Sequence, residues 1–228
     1  MYIPPAFRVE DASKLAAFIQ HHSFATLVTH DGHAPFASHL PMLLHPEAGA
    51  HGTLVAHMAR ANPQWQHFDA VSEVLAIFHG PHSYISPSWY RTDRAVPTWN
   101  YAMVHAYGVP RLITDPVLVN SLLQETVSAY EAGFRQPWPE TISADYQNQL
   151  IKGIVAFDIR ITRLEGKFKL GQNRSPADIQ GVFKALSSAE DSDSRALAEM
   201  MLLECNVSQE NQIDEIGRPI LSTKPPPP

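Results

Sequence analysis

The sequence predicts a mainly β fold: a mostly antiparallel barrel with peripheral helices. Three observations carry this. β-rich runs cluster before residue 114 and are joined by short loops. Few helical patterns stand between consecutive runs, which disfavours a doubly wound parallel sheet. One long β-rich run returns late, over residues 153–170. The count is about seven strands and about five or six helices, without an internal repeat.

Taken in order, residues 9–22 read as a helix, with Leu15, Phe18, Ile19 and His22 spaced for one face. Residues 24–30 are β-rich, and Asp31-Gly32 after them predicts a type I′ hairpin turn. The return strand covers residues 33–44, with Pro41 implying an edge or bulge position. A third strand follows at 53–58. Asn62 then reads as the cap of a short helix over 63–68, with Pro63 in its first position.

Residues 73–78 predict a strand ended by His79-Gly80-Pro81, and residues 101–113 a long strand broken by Gly108 and Pro110. Thr114 reads as the cap of a helix reaching Glu131, with Leu118, Leu122, Val127 and Tyr130 available for burial. A short helix is expected at 143–150. The late β-rich run is split at Glu165-Gly166, and helices follow at 176–187 and 194–204. Residues 1–207 are read as one domain with C-terminal helices. Residues 208–228, polar and ending in four prolines, are expected to be disordered.

Composition narrows the function classes. Of 228 residues, 44% are hydrophobic and 18% charged, as expected of a folded soluble protein. No apolar run is long enough to span a membrane, and residues 1–7 lack the pattern of a secretory signal. Cys205 is the one cysteine, so neither an internal disulfide nor a cysteine-rich zinc site is available, and a reducing cytoplasm is the expected location. The net charge of −6 argues against a protein that coats DNA, though a local basic patch can still hold phosphate. P-loop, Gly-x-Gly-x-x-Gly, Gly-x-Ser-x-Gly and His-Glu-x-x-His motifs are all absent.

The most unusual stretch is residues 84–101, Tyr84-Ile-Ser-Pro-Ser-Trp-Tyr90 continuing into Val96-Pro-Thr-Trp-Asn-Tyr101. Flat apolar walls with a few placed polar groups suit a planar heteroaromatic ligand. An aromatic cluster packing an irregular turn would have the same composition, and composition alone leaves both readings open. Asn100 and Thr98 could bond a ring walled in by Trp99 and Tyr101.

At the end of the third strand, Arg60 stands beside a helix start whose free N–H groups favour an anion; the competing reading is a surface ion pair. The run Arg160, Arg163, Lys167, Lys169 and Arg174 reads equally as an anion site or a solvated strand face. Lys169-Leu-Gly-Gln172-Asn173-Arg174 brackets amides with cations, a pattern suited to a phosphate or a dioxopyrimidine edge. His79-x-x-His82 is a weak metal candidate without an obvious third ligand, and no metal is assigned.

At these residues the sequence resembles the PaiB-type FMN-binding family of flavin split-barrel proteins. The resemblance rests on Ser38-His-Leu-Pro41, on residues 52–63 (Gly-Thr-Leu-Val-Ala-His-Met-Ala-Arg-Ala-Asn-Pro), on residues 78–90 and 96–101, and on Gly166-Lys-Phe-Lys-Leu-Gly-Gln-Asn-Arg174. It spans roughly residues 1–204. It implies a split β-barrel homodimer with FMN at the subunit interface. Ser38, His39 and Leu40 would line the flavin; His57, Arg60 and Asn62 would serve its phosphate and ribityl end. Ser88, Trp99 and Asn100 would close the site, joined by Lys169, Gln172 and Asn173. The family favours Ser where this chain has Gly171.

The family is described as negative transcriptional regulators, so DNA enters as a partner by that label alone. The helix pair at 176–204 has an acidic linker and few basic residues to meet a groove. The alternative is an FMN-dependent oxidoreductase, a flavin reductase or oxidase using NAD(P)H or a small aromatic substrate. Haem handling is a weaker third reading, by fold analogy. No catalytic residue is assigned, because covalent catalysis has no supporting set of side chains.

Overall fold

The computed structural model describes residues 1–92, 94–138, 143–205 and 207. The expected disorder of 208–228 therefore falls outside the described residues. The chain divides into two compact units.

The first unit, Met1–Pro4, Arg8–Gly80 and Met103–Lys167, holds most of the sheet. Its strands are β1 (Arg8–Val9), β2 (Phe24–His30), β3 (Pro35–Pro41), β4 (Leu43–His45) and β5 (Thr53–Ala59), with most of three longer ones. Those are β6 (Val74–Ile85), β7 (Thr98–Ile113) and β8 (Ile154–Lys169). The order is β3-β2-β6-β7-β8-β5-β4, with β1 paired to β8. The two end strands, β3 and β4, follow one another in the chain across Met42, and β3 lies against β5. The sheet thus rolls into a split barrel whose seam is bridged by chain continuity rather than by a ladder. The β1–β8, β2–β3, β2–β6, β4–β5 and β5–β8 pairings are antiparallel.

Alternation along the strands fills the barrel. Ala25, Leu27, Ala76, Phe78, Val104, Ala106, Phe157 and Ile159 are completely buried. Phe157 also meets Phe68 edge-on, with ring centroids 5.1 Å apart. Helix α1 (Ala12–His21) buries Leu15, Phe18 and Ile19 and is capped by Asp11, whose carboxylate accepts from Lys14 N–H. A smaller apolar cluster of Val55, Val119, Leu122 and Ala156 seats α2 (Pro116–Glu131), and α3 (Ala144–Ile151) precedes β8.

Several expectations need correction. The β2–β3 connection is not a two-residue type I′ turn: His30 pairs with Pro35, leaving a four-residue loop. The Asp31 carboxylate accepts from the N–H groups of His33 and Ala34, at 2.7 Å each, while the residue's own backbone N–H donates to Ala34 O at 3.3 Å, so a side-chain turn reinforces the loop. β6 does not stop at His79 but runs through Gly80 and Pro81, because proline's fixed φ is compatible with extended backbone. β7 is likewise unbroken. A Cβ at Gly108 would lie 2.3 Å from the Arg160 carbonyl oxygen, so that glycine permits close strand approach instead of a break. β8 continues through Gly166, where a Cβ would strike Leu15 at 2.3 Å. The α2 cap is Asp115, not Thr114, and its buried residues are Val119 and Leu122, while Leu118 and Tyr130 are exposed.

The second unit, Pro5–Phe7, Pro81–Ala102 and Phe168–Pro228, carries the far ends of β6, β7 and β8 with α4 (Pro176–Ser187) and α5 (Ser192–Glu204). The two helices pack through Val182, Phe183, Leu186, Leu197, Ala198 and Met201, all buried. No helix among the described residues is long and apolar enough to cross a membrane.

Candidate functional site

In the first unit the expected residues sit on β3, on β5 and in the turn that follows β5. That turn is a 3-10 helix, Pro63–His67, capped by Asn62, whose Oδ1 accepts from Gln64 N–H at 3.0 Å. The same Asn62 donates through Nδ2 to Ser38 Oγ at 2.8 Å. The Ser38 oxygen is thereby used as an acceptor, and its own proton is left to donate elsewhere. Gln64 is fully buried and donates through Nε2 to the carbonyls of Leu27, at 2.9 Å, and Phe36, at 3.2 Å. The turn is therefore bolted to the hairpin that carries Ser38. Sequence reasoning had not singled out Gln64, whose one signal was its place just after a cap and a proline.

Strand alternation separates the Ser38-His39-Leu40 trio. Ser38 and Leu40 share one face, and His39 takes the other, where its Nδ1 is 3.0 Å from Thr26 Oγ1.

Arg60, also exposed, donates through Nε to Lys152 O at 2.9 Å and through Nη2 to Ile154 O at 2.6 Å. Two carbonyls thus fix the guanidinium, and no carboxylate pairs with it among the described residues. The surface ion pair considered for Arg60 is replaced by a held, uncompensated cation. His57 lines an apolar cavity of about 240 Å³ with Leu123, Val127, Trp138, Leu150 and Ile154. Burial pushes its imidazole below the usual histidine range, so it is neutral at pH 7.

Two members of the late basic run have partners within the first unit. Arg163 is paired with Glu165 and lies over the Tyr107 ring, at 3.6 Å from its centroid. Lys167 is buried and donates to Tyr2 O at 3.2 Å.

In the second unit, Ser88 lies in a 3-10 turn, Pro87–Trp89, capped by Ser86. Ser88 is exposed, with its Oγ 2.8 Å from that of Ser86. Trp99 is 53% exposed, flanked by Tyr84 and His82 with ring centroids 6.1 Å away in each case. Asn100 is the reverse: its carboxamide is carried by a residue only 2% exposed. Its Nδ2 lies 3.7 Å from where a Gly171 Cβ would stand. Gly171 has φ +87°, a conformation in which the family's serine would be strained.

Lys169 and Gln172 hold the local structure together. Lys169 Nζ donates to Thr98 Oγ1 at 2.6 Å and to Trp99 O. Gln172 closes its own turn, accepting from Leu170 N–H at 2.8 Å and donating to Phe168 O at 2.6 Å. Asn173 is exposed beside them. The His79-x-x-His82 pair lies on β6 rather than in a turn, and no group of three metal-ligating side chains occurs among the described residues.

This fold is that of the flavoprotein split barrels. The FAD and haem binding protein from Mycobacterium smegmatis superposes with a TM-score of 0.54 at 12% identity, covering 71% of this chain and 73% of that one. The flavocytochrome Anf3 from Azotobacter vinelandii gives a TM-score of 0.52 at 12% identity, over 71% of this chain and 69% of its own. Likeness at that identity establishes fold alone. Family membership comes from sequence: the family model described as "Putative FMN-binding domain" matches residues 1–163, and the chain belongs to that family. It is also 37% identical over 203 residues to the Bacillus subtilis "Protease synthase and sporulation protein PAI 2", covering 88% of this chain and 96% of that protein.

Proposed function

We propose that this chain binds FMN, as a homodimer in the cytoplasm, and that the flavin serves as a sensing or structural group in a regulatory protein. The observation that carries the binding is Arg60, a cation held by two carbonyls without a carboxylate partner among the described residues, two positions before Asn62, which is hydrogen-bonded to Ser38 of β3. Such a fixed guanidinium suits a phosphate monoester.

The remaining residues fit the group. The Ser38 hydroxyl, oriented by Asn62, has a proton to give to a flavin carbonyl or ring nitrogen. Leu40 supplies an apolar contact on the same face. The neutral His57 suits a ribityl hydroxyl better than a phosphate. Asn100 offers a buried carboxamide able to both donate and accept, which matches the edge of a dioxopyrimidine. Trp99 and Ser88 would cover the ring, with Asn173 at the margin. His39 would contribute backbone, and Lys169 and Gln172 would shape the loop rather than touch the ligand.

The regulatory part rests on likeness to PAI 2, whose name ties that protein to protease synthesis and sporulation. Direct DNA binding has little support in α4 and α5, where Asp178, Asp193, Glu199 and Glu204 outnumber Lys184 and Arg195. A second reading, an FMN-dependent oxidoreductase, is favoured by one observation: the exposed Trp99 with Tyr84 and His82 forms an open aromatic surface on which a nicotinamide or small aromatic substrate can stack. When bound, the flavin would supply the redox chemistry, and the chain would bind and orient both partners.

The test is the visible absorbance spectrum of the purified protein, before and after addition of FMN, and then of NADPH without oxygen. Flavin bands that persist with NADPH support the sensing role, and bands that bleach support the reductase. No uptake of FMN removes both. A gel shift without retarded DNA at low salt excludes direct repression.

A further inference from the structure

The second unit contains a device whose helix lies beyond the matched residues 1–163: α4 clamps the segment that carries Ser88. Three consecutive residues of that segment are gripped. The Arg91 N–H donates to Asp178 Oδ1 at 2.7 Å. The Tyr90 ring lies under the Arg174 guanidinium, 4.7 Å from its centroid. The Trp89 carbonyl oxygen stands 2.1 Å from where a Cβ on Gly181 would be, so only glycine lets the helix come this close.

Asp178 and Gly181, three positions apart, share a face of α4, and Arg174 stands just before the Ser175 cap. Asp178 is buried although it occupies the first turn of a helix, where a carboxylate would ordinarily face water. Its oxygen reaches out of its own helix to the Arg91 backbone N–H. A turn of three residues, Pro87–Trp89, with Ser88 exposed at its centre, would by itself sample many conformations.

We propose that Asp178 is a positioning residue for the flavin site: with Arg174 and Gly181 it fixes Trp89–Arg91 and so sets where Ser88 is presented to the cofactor. This rests on the FMN-binding reading above. The carboxylate acts through the segment and does not touch the ligand itself.

Three variants test it, with FMN titrated by flavin fluorescence and amide hydrogen exchange followed over residues 86–92. Asp178→Ala should weaken FMN binding about tenfold and raise exchange across the segment, the scale of a loosened positioning group. Asp178→Asn keeps an oxygen that accepts from Arg91 N–H and should stay within about threefold of the parent. Gly181→Ala leaves the carboxylate in place but pushes Trp89 away, and should resemble Asp178→Ala.

If Asp178→Ala keeps the parent's FMN affinity, or if Asp178→Asn falls as far as Asp178→Ala while exchange stays slow, the assignment is overturned. A parent protein that takes up no FMN defeats the flavin reading itself, a result distinguishable from failure of the clamp because the exchange arm needs no flavin.

Discussion

Two turns in this molecule begin alike and end in opposite roles. Asn62-Pro63-Gln64-Trp65 and Ser86-Pro87-Ser88-Trp89 each consist of a capping side chain, a proline in the first position, a polar residue and a tryptophan. Both fold into 3-10 turns, and in both the cap accepts from the backbone N–H two residues on, at 3.0 Å and 3.3 Å. In the first, the third residue is Gln64, fully buried and bonded into a hairpin. In the second it is Ser88, exposed to solvent, and the turn is held from outside by a helix. The local code sets the shape of the turn. Which residue anchors it and which is offered to a ligand depends on what lies beside it.

The comparison can be broken, and the largest effect is expected at Gln64. Gln64→Ala removes a donor from the buried Leu27 carbonyl and from the half-buried Phe36 carbonyl, and an unsatisfied buried group costs about 1–3 kcal/mol. A loss of about 2–4 kcal/mol should appear as a lower urea midpoint with an unchanged slope. A loss below about 0.5 kcal/mol would mean that the buried carboxamide does not anchor the turn.

Arg60→Ala comes next. Removing a hydrogen-bonded cation from a phosphate should weaken FMN binding by about 1.5–3 kcal/mol, roughly tenfold to a hundredfold, with little change in the urea midpoint. FMN affinity equal to the parent's would displace the phosphate from this turn.

Asn62→Ala should cost about 0.5–2 kcal/mol of stability as a lost cap. It should also weaken FMN binding, because Ser38 loses the donor that orients it. Loss of stability with FMN affinity intact would separate the cap from the site. Ser88→Ala should do the opposite and leave the urea midpoint within about 0.5 kcal/mol of the parent, since an exposed hydroxyl contributes little to folding.

Acid sharpens the same contrast, because one turn is anchored by a neutral carboxamide and the other by a carboxylate. The Arg91 N–H, and then the Ser175 hydroxyl and the Thr92 N–H, hold the Asp178 carboxyl below the usual carboxylate range. For a depressed pKa the stabilisation is present above the unfolded value and is lost as pH falls through the folded one. Amide protection over residues 86–92 should therefore survive to below the ordinary carboxylate range and then fail, while the turn at 63–67 keeps its own. His57 acts with the other sign. Its pKa is lowered by burial, so the unfolded chain takes up that proton first and stability declines as pH falls below the usual histidine value. His57→Gln should flatten that decline in a urea titration at pH 5 to 7.

Much of this was legible in the residues. The antiparallel β character, the Asn62–Pro63 cap, α1 and the two C-terminal helices follow from short-range patterns, and the structure keeps them. The candidate residues were less legible. Ser38 and Asn62 are hydrogen-bonded across 24 positions of sequence, and no spacing rule joins residues so far apart. Lys169 and Gln172 look like ligand groups in sequence because cations and amides have the same letters whether they bind a phosphate or close a turn.

The sequence by itself determined where the chain turns and where it stays regular, since capping, proline geometry and period-two alternation act within a few residues. Only the tertiary structure decided that β6 runs through Gly80-Pro81, that Gly108 and Gly166 are points of close approach rather than breaks, and that Val119 instead of Leu118 faces the core. Those outcomes depend on the atoms opposite: the Arg160 carbonyl, the Leu15 side chain, the cluster around Val55 and Ala156. A residue's own conformational preference is local, but the steric and hydrogen-bonding partners that settle its role are brought to it by the rest of the fold.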